Sequence, residues 1–209
     1  MAELALFKST TAAAIRAATP PQLAKHFSCK RCSLHNTRRY VVLGEGSLPC
    51  DVLFVGEGPT RADNLTGRPF SGSSGRVLRE AIDDALKRVD RTNGQLRLYM
   101  TYVVACRPCD SKRENNREPS AREVRTCLGR LNAVAQFASP QHVVLLGKVA
   151  HASCLDLFPG ALKLYDPNYI HRQGGAGSCE YQRFVRELQD LFKGTKHRKV
   201  LRRRIRRIK

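Results

Sequence analysis

Whatever this chain folds into, four thiols from distant segments have to be accommodated, and they are best accommodated together. Cys29 and Cys32 form a C-K-R-C pair near the start, Cys106 follows an apolar run, and Cys127 lies 21 residues further on. Thiolates gathered from separate segments bind a metal far more readily than they form disulfides in a reducing cell. An iron–sulfur cluster takes four such ligands, and the two-residue spacing of the first pair suits a cluster or zinc.

The intervening pattern says what the metal would hold together. Asp51–Val55, closed by Gly56, is a continuously apolar run of strand length, as are Leu98–Ala105 and His142–Leu146. A fourth short strand is expected near Ala161–Leu164. Val77, Leu78, Ala81, Ile82, Ala85 and Leu86 recur at helical spacing, which predicts an amphipathic helix over 74–89. Ser120 with Glu123 is a capping-box signature for a helix to about Ala138. Shorter helices are expected over Pro20–Phe27, 148–157 and Arg183–Phe192, with a glycine-rich loop over Gly56–Gly75 and a flexible turn over Gly174–Gly177. Apolar strands alternating with helices argue for an α/β fold whose parallel sheet is covered on both faces. Ligands of such sheets sit beyond the carboxyl ends of the strands. Here those ends lead into Gly56–Gly75, Cys106–Pro119 and the segment from Gly147 onward.

With 37 Lys and Arg against 18 Asp and Glu, the net charge of +19 predicts a polyanionic partner, most simply nucleic acid. The segment from Lys196 to Lys209 holds nine Lys or Arg and no acid. It reads as a solvated arm, with Arg202, Arg203, Arg204, Arg206 and Arg207 as expected phosphate contacts. No apolar run approaches the ~20 residues of a spanning helix, so no membrane partner is expected. Met1–Pro20, rich in Ala, Ser and Thr, reads as a frayed N-terminus, with an organellar transit peptide as the alternative. The expected organisation is a flexible segment over 1–20, one domain over 21–193 and a basic tail over 194–209.

The loop after the first strand reads G-E-G-P-T-R-A-D-N-L-T-G-R-P-F-S-G over Gly56–Gly72. The second strand leads through T-Y-V-V-A-C-R-P to N-R-E-P at Asn116–Pro119 and E-x-x-x-C at Glu123–Cys127. The third strand and its turn read V-V-L-L-G-K-V-A over Val143–Ala150. Together with the first cysteine pair, and in this order, these motifs resemble the family-4 uracil-DNA glycosylases, the iron–sulfur branch of that superfamily, from about Phe27 to Phe192. The resemblance implies a three-layer αβα sandwich around a four-stranded parallel sheet, which agrees with the independent reading of the pattern. It implies a [4Fe–4S] cluster of mainly structural role on Cys29, Cys32, Cys106 and Cys127. Cys109 stands where the family usually has Pro, so zinc on Cys29, Cys32, Cys106 and Cys109 remains the alternative. Cys50, Cys154 and Cys179 match no ligand position and are expected to be buried or partly buried free thiols.

Excising a base requires flipping it out, stacking its face and reading its edge. Cleavage builds positive charge on the sugar and negative charge on the leaving base, so donors must face the base and a water must face the sugar. The resemblance places Glu57, Gly58 and Pro59 at the border of the uracil pocket. It makes Phe70 the stacking ring, gives Asp63 the placing of the water, and adds Asn116 as a further polar residue of the site. Glu57, Asp63 and Asn116 are therefore the expected catalytic residues. Gly58, Pro59, Phe70, Tyr102 and Asp166 are the expected substrate contacts. Two positions depart from the family pattern. Tyr102 replaces an Asn that reads the uracil edge, and a phenol cannot reproduce an amide's donor–acceptor pair. Asp166 replaces a His that stabilises the uracil anion, and a carboxylate there repels the developing charge. His171 lies nearby but out of register.

The expected function is hydrolysis of the N-glycosidic bond of uracil in DNA, in base excision repair. The protein is expected to be monomeric unless it joins a larger nucleoprotein assembly, and cytoplasmic or nucleoid-associated, with the mitochondrion as the alternative. The competing reading is a catalytically inactive glycosylase-fold protein that binds DNA or structured RNA as a structural or ribonucleoprotein component. Tyr102, Asp166 and the basic tail favour it, and phosphate contacts do not distinguish the two nucleic acids.

Overall fold

The computed structural model describes residues 11–89 and 96–195. Its centre is one five-stranded sheet in the order β1 (Glu45–Gly46), β3 (Leu98–Tyr102), β2 (Val52–Gly56), β4 (His142–Leu146), β5 (Leu162–Leu164). β3, β2, β4 and β5 run parallel, with Gly56 opposite Tyr102 at the carboxyl ends of β2 and β3. The expected four-stranded parallel sheet is present, and β1 adds an antiparallel edge through Glu45↔Met100 and Gly46↔Tyr99. Two residues carry no periodicity, which is why this edge strand leaves no trace in the sequence pattern.

Alternation along the strands divides the core into two layers. Val52, Phe54, Met100, Tyr102, Val144 and Leu146 face α4 (Ser73–Lys87), α7 (Pro167–Arg172) and α8 (Cys179–Gly194). Leu53, Val55, Tyr99 and Leu145 face α2 (Pro21–Ala24), α5 (Ala121–Ala138) and α6 (Gly147–Cys154). β2 and β3 are buried at every position, as unbroken apolar runs in a doubly covered sheet must be. The helices apply the predicted stripe: Leu78 and Ile82 of α4 are fully buried, each worth about 1.5–3 kcal/mol of transfer free energy.

Helix starts follow side-chain chemistry. At α5 the Ser120 hydroxyl accepts from Glu123 N while Glu123 accepts from Ser120 N at 2.8 Å, the expected capping box. The same device opens α3 (Arg61–Thr66) with Thr60 and Asp63, inside the segment expected to be loop. The N-terminal segment also departs from expectation. Residues Ala12–Ala18 form α1, capped by the Thr11 side chain, with Ile15 buried and the Arg16 guanidinium 4.6 Å from the Phe27 ring centroid. Gly175–Gly177 forms a short 3-10 turn within the stretch expected to be a turn. Cys50 and Cys154 are buried as expected, whereas Cys179 opens α8 on its exposed side. The arginines of the basic tail, Arg202 to Arg207, lie outside the described residues. Among the described residues no helix is long and apolar enough to cross a membrane.

Candidate active site and cysteine pocket

The carboxyl ends of β2 and β3 meet at Gly56 and Tyr102. A Cβ on Gly56 would come within 2.9 Å of Phe70 Cζ and 3.0 Å of Tyr102 Cδ1, so both rings rest directly on the backbone of the turn. Those rings pack on each other with centroids 4.6 Å apart, tilted by 31°. Phe70 sits in the left-handed region at φ 52°, and its N–H donates to Tyr102 Oη at 2.8 Å. Tyr102 Oη in turn donates to Asp63 Oδ2 at 2.9 Å. Burial first, and the Asp63 carboxylate next, hold the Tyr102 hydroxyl well above its ordinary pKa, so it stays a donor.

Asp63, expected to place a water at the sugar, has a carboxylate that accepts hydrogen bonds from the walls of the site. Oδ2 accepts from Thr60 N, Thr60 Oγ1 and Tyr102 Oη, and Oδ1 accepts from Ser71 N and Ser71 Oγ. With 1% of its surface exposed, both oxygens are committed to the walls of the site. Asn116 is also occupied. It is exposed, pairs with Cys109 in an isolated bridge, and its Oδ1 accepts from Arg107 Nε at 2.6 Å. Arg107 is buried and also donates to the carbonyls of Arg113 and Glu114, which pins the hairpin that carries Asn116. Arg107 escaped the sequence reading because its partners are mostly backbone carbonyls.

The remaining expected residues gather at the same end of the sheet. Glu57 is half-buried, and its carboxyl is pushed up to about 7, by burial first and then by Asp166 and Glu118, with Lys148 opposing. Lys148 pairs with Glu118 at 2.6 Å on the exposed rim. Asp166 caps α7, accepting from Asn168 N at 2.7 Å, and burial raises its carboxyl as well. Gly147, at φ 83°, permits this approach, since a Cβ there would lie 2.9 Å from Asp166 Cβ. Gly58 packs against Val104 and Pro108, and Pro59 is buried. His171 falls in the last turn of α7 and is exposed.

On the opposite face of the sheet, Cys29, Cys32, Cys106 and Cys127 line one pocket. Cys109 is not among the lining residues; its carbonyl accepts from Arg117 Nε, and it forms an isolated bridge with Asn116. The fourth thiol lining the pocket is Cys127. Glu123 and Cys127, one helical turn apart on α5, both face the pocket. Arg117 pairs with Glu123 at 2.7 Å, and Ser33 donates to Glu123 at 3.3 Å, tying the first cysteine pair to α5. Burial pushes the Cys106 thiol up to about 11 despite Arg38, whose Nη1 donates to Cys106 Sγ at 3.5 Å. Among the described residues no three His, Cys, Asp or Glu side chains converge on a single-ion site. The polar lining fits a larger, electron-rich group. Arg130 is buried and binds Thr101 Oγ1 and the carbonyls of Tyr102 and Val103, yet its Nε has no partner. His26 Nε2, on another lining residue, has none either.

The sequence profile of the uracil DNA glycosylase superfamily matches residues 43–189. The chain is 36% identical over 132 residues to the type-4 uracil-DNA glycosylase of Archaeoglobus fulgidus, covering 63% of this chain and 60% of that one. It is 35% identical over 130 residues to the type-4 enzyme of Pyrobaculum aerophilum, covering 62% of this chain and 61% of the relative. It is 37% identical over 129 residues to that of Thermotoga maritima, covering 61% of each. The chain thus spans about three-fifths of the length of these curated relatives. With the profile running from before β1 into α8, through both rings and the glutamate at the sheet's carboxyl end, this chain belongs to the uracil DNA glycosylase superfamily.

Proposed function

We propose that this protein hydrolyses the N-glycosidic bond of uracil in DNA, as a step of base excision repair. The observation that carries this reading is the convergence of Glu57, Phe70 and Tyr102 at the carboxyl ends of β2 and β3. An extrahelical base needs an aromatic face and a polar edge. Phe70 offers the face, and the Gly56–Pro59 turn borders the edge. Glu57 is the group able to change charge near neutrality, since its carboxyl stands at about 7. Deprotonated, it stabilises positive charge on the sugar and can accept a proton from the attacking water. Asp63 positions Tyr102 and the Phe70 turn. Asp166 opposes the departing anion, which lowers the rate expected of this site.

Cys29, Cys32, Cys106 and Cys127 would hold a [4Fe–4S] cluster, which supplies a cross-link between the N-terminal segment, the exit of β3 and α5. Arg38, Arg130 and His26 would donate to its sulfurs. The basic chain, including Arg202, Arg203, Arg204, Arg206 and Arg207, would bind the DNA phosphates and keep the protein with the nucleoid or in the cytoplasm. A second reading is favoured by the Tyr102 ring lying on Phe70: a nucleic-acid-binding protein that has lost excision. Incubating cluster-loaded protein with a single-stranded uracil oligonucleotide, then cleaving with alkali, separates the two. Alkali-labile sites at uracil support the glycosylase; salt-sensitive binding without them supports the second reading.

A further inference from the structure

We propose that Tyr102 closes the base pocket of this chain with its own ring and so determines what the pocket admits. The proposal rests on the reading of Phe70 as the ring on which a flipped base stacks. Tyr102 already lies on that ring at a centroid distance of 4.6 Å. Its hydroxyl also makes the contacts of a base edge, accepting from Phe70 N at 2.8 Å and donating to Asp63 at 2.9 Å. A bound base requires a stacking face and a polar edge. Tyr102 uses both from inside the chain.

The surroundings hold the phenol in place. Gly56 leaves no room behind the rings, since even a Cβ would meet them at 2.9 and 3.0 Å. The Phe70 turn is pressed onto α4, where a Cβ on Gly75 would lie 1.8 Å from Phe70 O. Asp63 is fixed by Thr60 and Ser71, and the Tyr102 carbonyl is fixed by Arg130. The walls are therefore rigid, and the slot opens by rotation of the Tyr102 side chain. Rotation breaks a hydrogen bond to a carboxylate and a ring–ring contact, which holds the open state near about 1% of the population. Apparent affinity for a base falls by the same fraction, about 100-fold. An Asn at this position removes the ring and frees the face of Phe70.

The test compares wild type with Tyr102→Phe, Tyr102→Asn and Tyr102→Ala, each checked for folding by circular dichroism. Binding of free uracil is read by ligand-observed NMR, and excision by uracil release from a single-stranded oligonucleotide. Tyr102→Asn and Tyr102→Ala are expected to bind uracil about 100-fold more tightly than wild type. Tyr102→Phe keeps the ring contact but loses the hydrogen bond to Asp63, so it is expected to bind uracil more tightly than wild type and less tightly than Tyr102→Asn. Tighter uracil binding by the Asn and Ala variants, with no release by them or by wild type, leaves the proposal standing and removes the glycosylase reading. Wild-type protein that binds uracil as tightly as Tyr102→Asn, or releases it as fast, overturns the proposal. So do folded Asn and Ala variants that bind no better than wild type. Where one variant does not fold the other decides, and saturable uracil binding by wild type as tight as that of the folded variant overturns the proposal.

Discussion

Replacing Asp63 by Ala tests how the site is built. Five donors converge on that carboxylate: Thr60 N and Oγ1, Ser71 N and Oγ, and Tyr102 Oη. The two hydroxyls of Thr60 and Ser71 can turn elsewhere, whereas two backbone N–H groups and the Tyr102 hydroxyl are left facing a methyl. Thr60 still caps α3, and only the reciprocal half of its capping box is lost. Each buried donor stripped of a charged acceptor costs about 1.5–3 kcal/mol. These terms overlap within one network. The expected loss is about 3–5 kcal/mol, a large share of the roughly 5–15 kcal/mol typical of a domain. Asp63→Asn keeps one acceptor and should cost about half as much. Urea unfolding with an unchanged m-value measures the difference. A loss for Asp63→Ala below about 1 kcal/mol would refute the reasoning. So would an Asp63→Asn variant of wild-type stability and no activity, which would return Asp63 to the water.

Glu123 is held at about 2, below its ordinary 4.5, by its hydrogen bond from Arg117 first. Its folded value is depressed, so its stabilisation is complete above 4.5 and lost as pH falls toward 2; Glu123→Gln should flatten thermal melts across that window. Glu57 has the opposite sign: raised from 4.5 to about 7, it contributes stability at low pH that is lost as pH rises through 7. Glu57→Gln should therefore melt higher than wild type above that range and abolish excision. Cys127→Ser should lose bound iron and Cys109→Ser should keep it, as measured by iron and sulfide analysis of protein reconstituted without oxygen. Arg130→Met leaves buried carbonyls at Tyr102 and Val103 unpaired; it should cost about 2–4 kcal/mol and speed iron loss to a chelator.

Much of the frame was legible because its signals are local. The apolar run at His142–Leu146 is β4 to the residue, and the Ser120–Glu123 box starts α5 where its spacing says. Helix α3 was missed because six residues with little apolar content show no stripe, although Thr60 and Asp63 carry the same capping signature. The choice between Cys109 and Cys127 could not be made from spacing. It depends on how the fold seats the two segments, with Cys127 on the pocket and Cys109 bridged to Asn116. The identity of Tyr102 told of a bulky phenol where an amide was expected. That it lies on Phe70 depends on the positive φ of Phe70 and on a carboxylate 39 positions earlier in the chain. The motif marks Asp63 as a site residue, whereas the five donors around it are brought together only by the fold.

The central claim is that a base pocket exists at the carboxyl ends of β2 and β3 and that Tyr102 fills it. A crystal structure of Tyr102→Asn soaked with uracil tests this most directly. The account predicts uracil stacked on the Phe70 ring in the space the phenol vacates, with Phe70 and Asp63 unmoved. Uracil bound elsewhere, or a collapsed slot with Phe70 turned into the core, would contradict it.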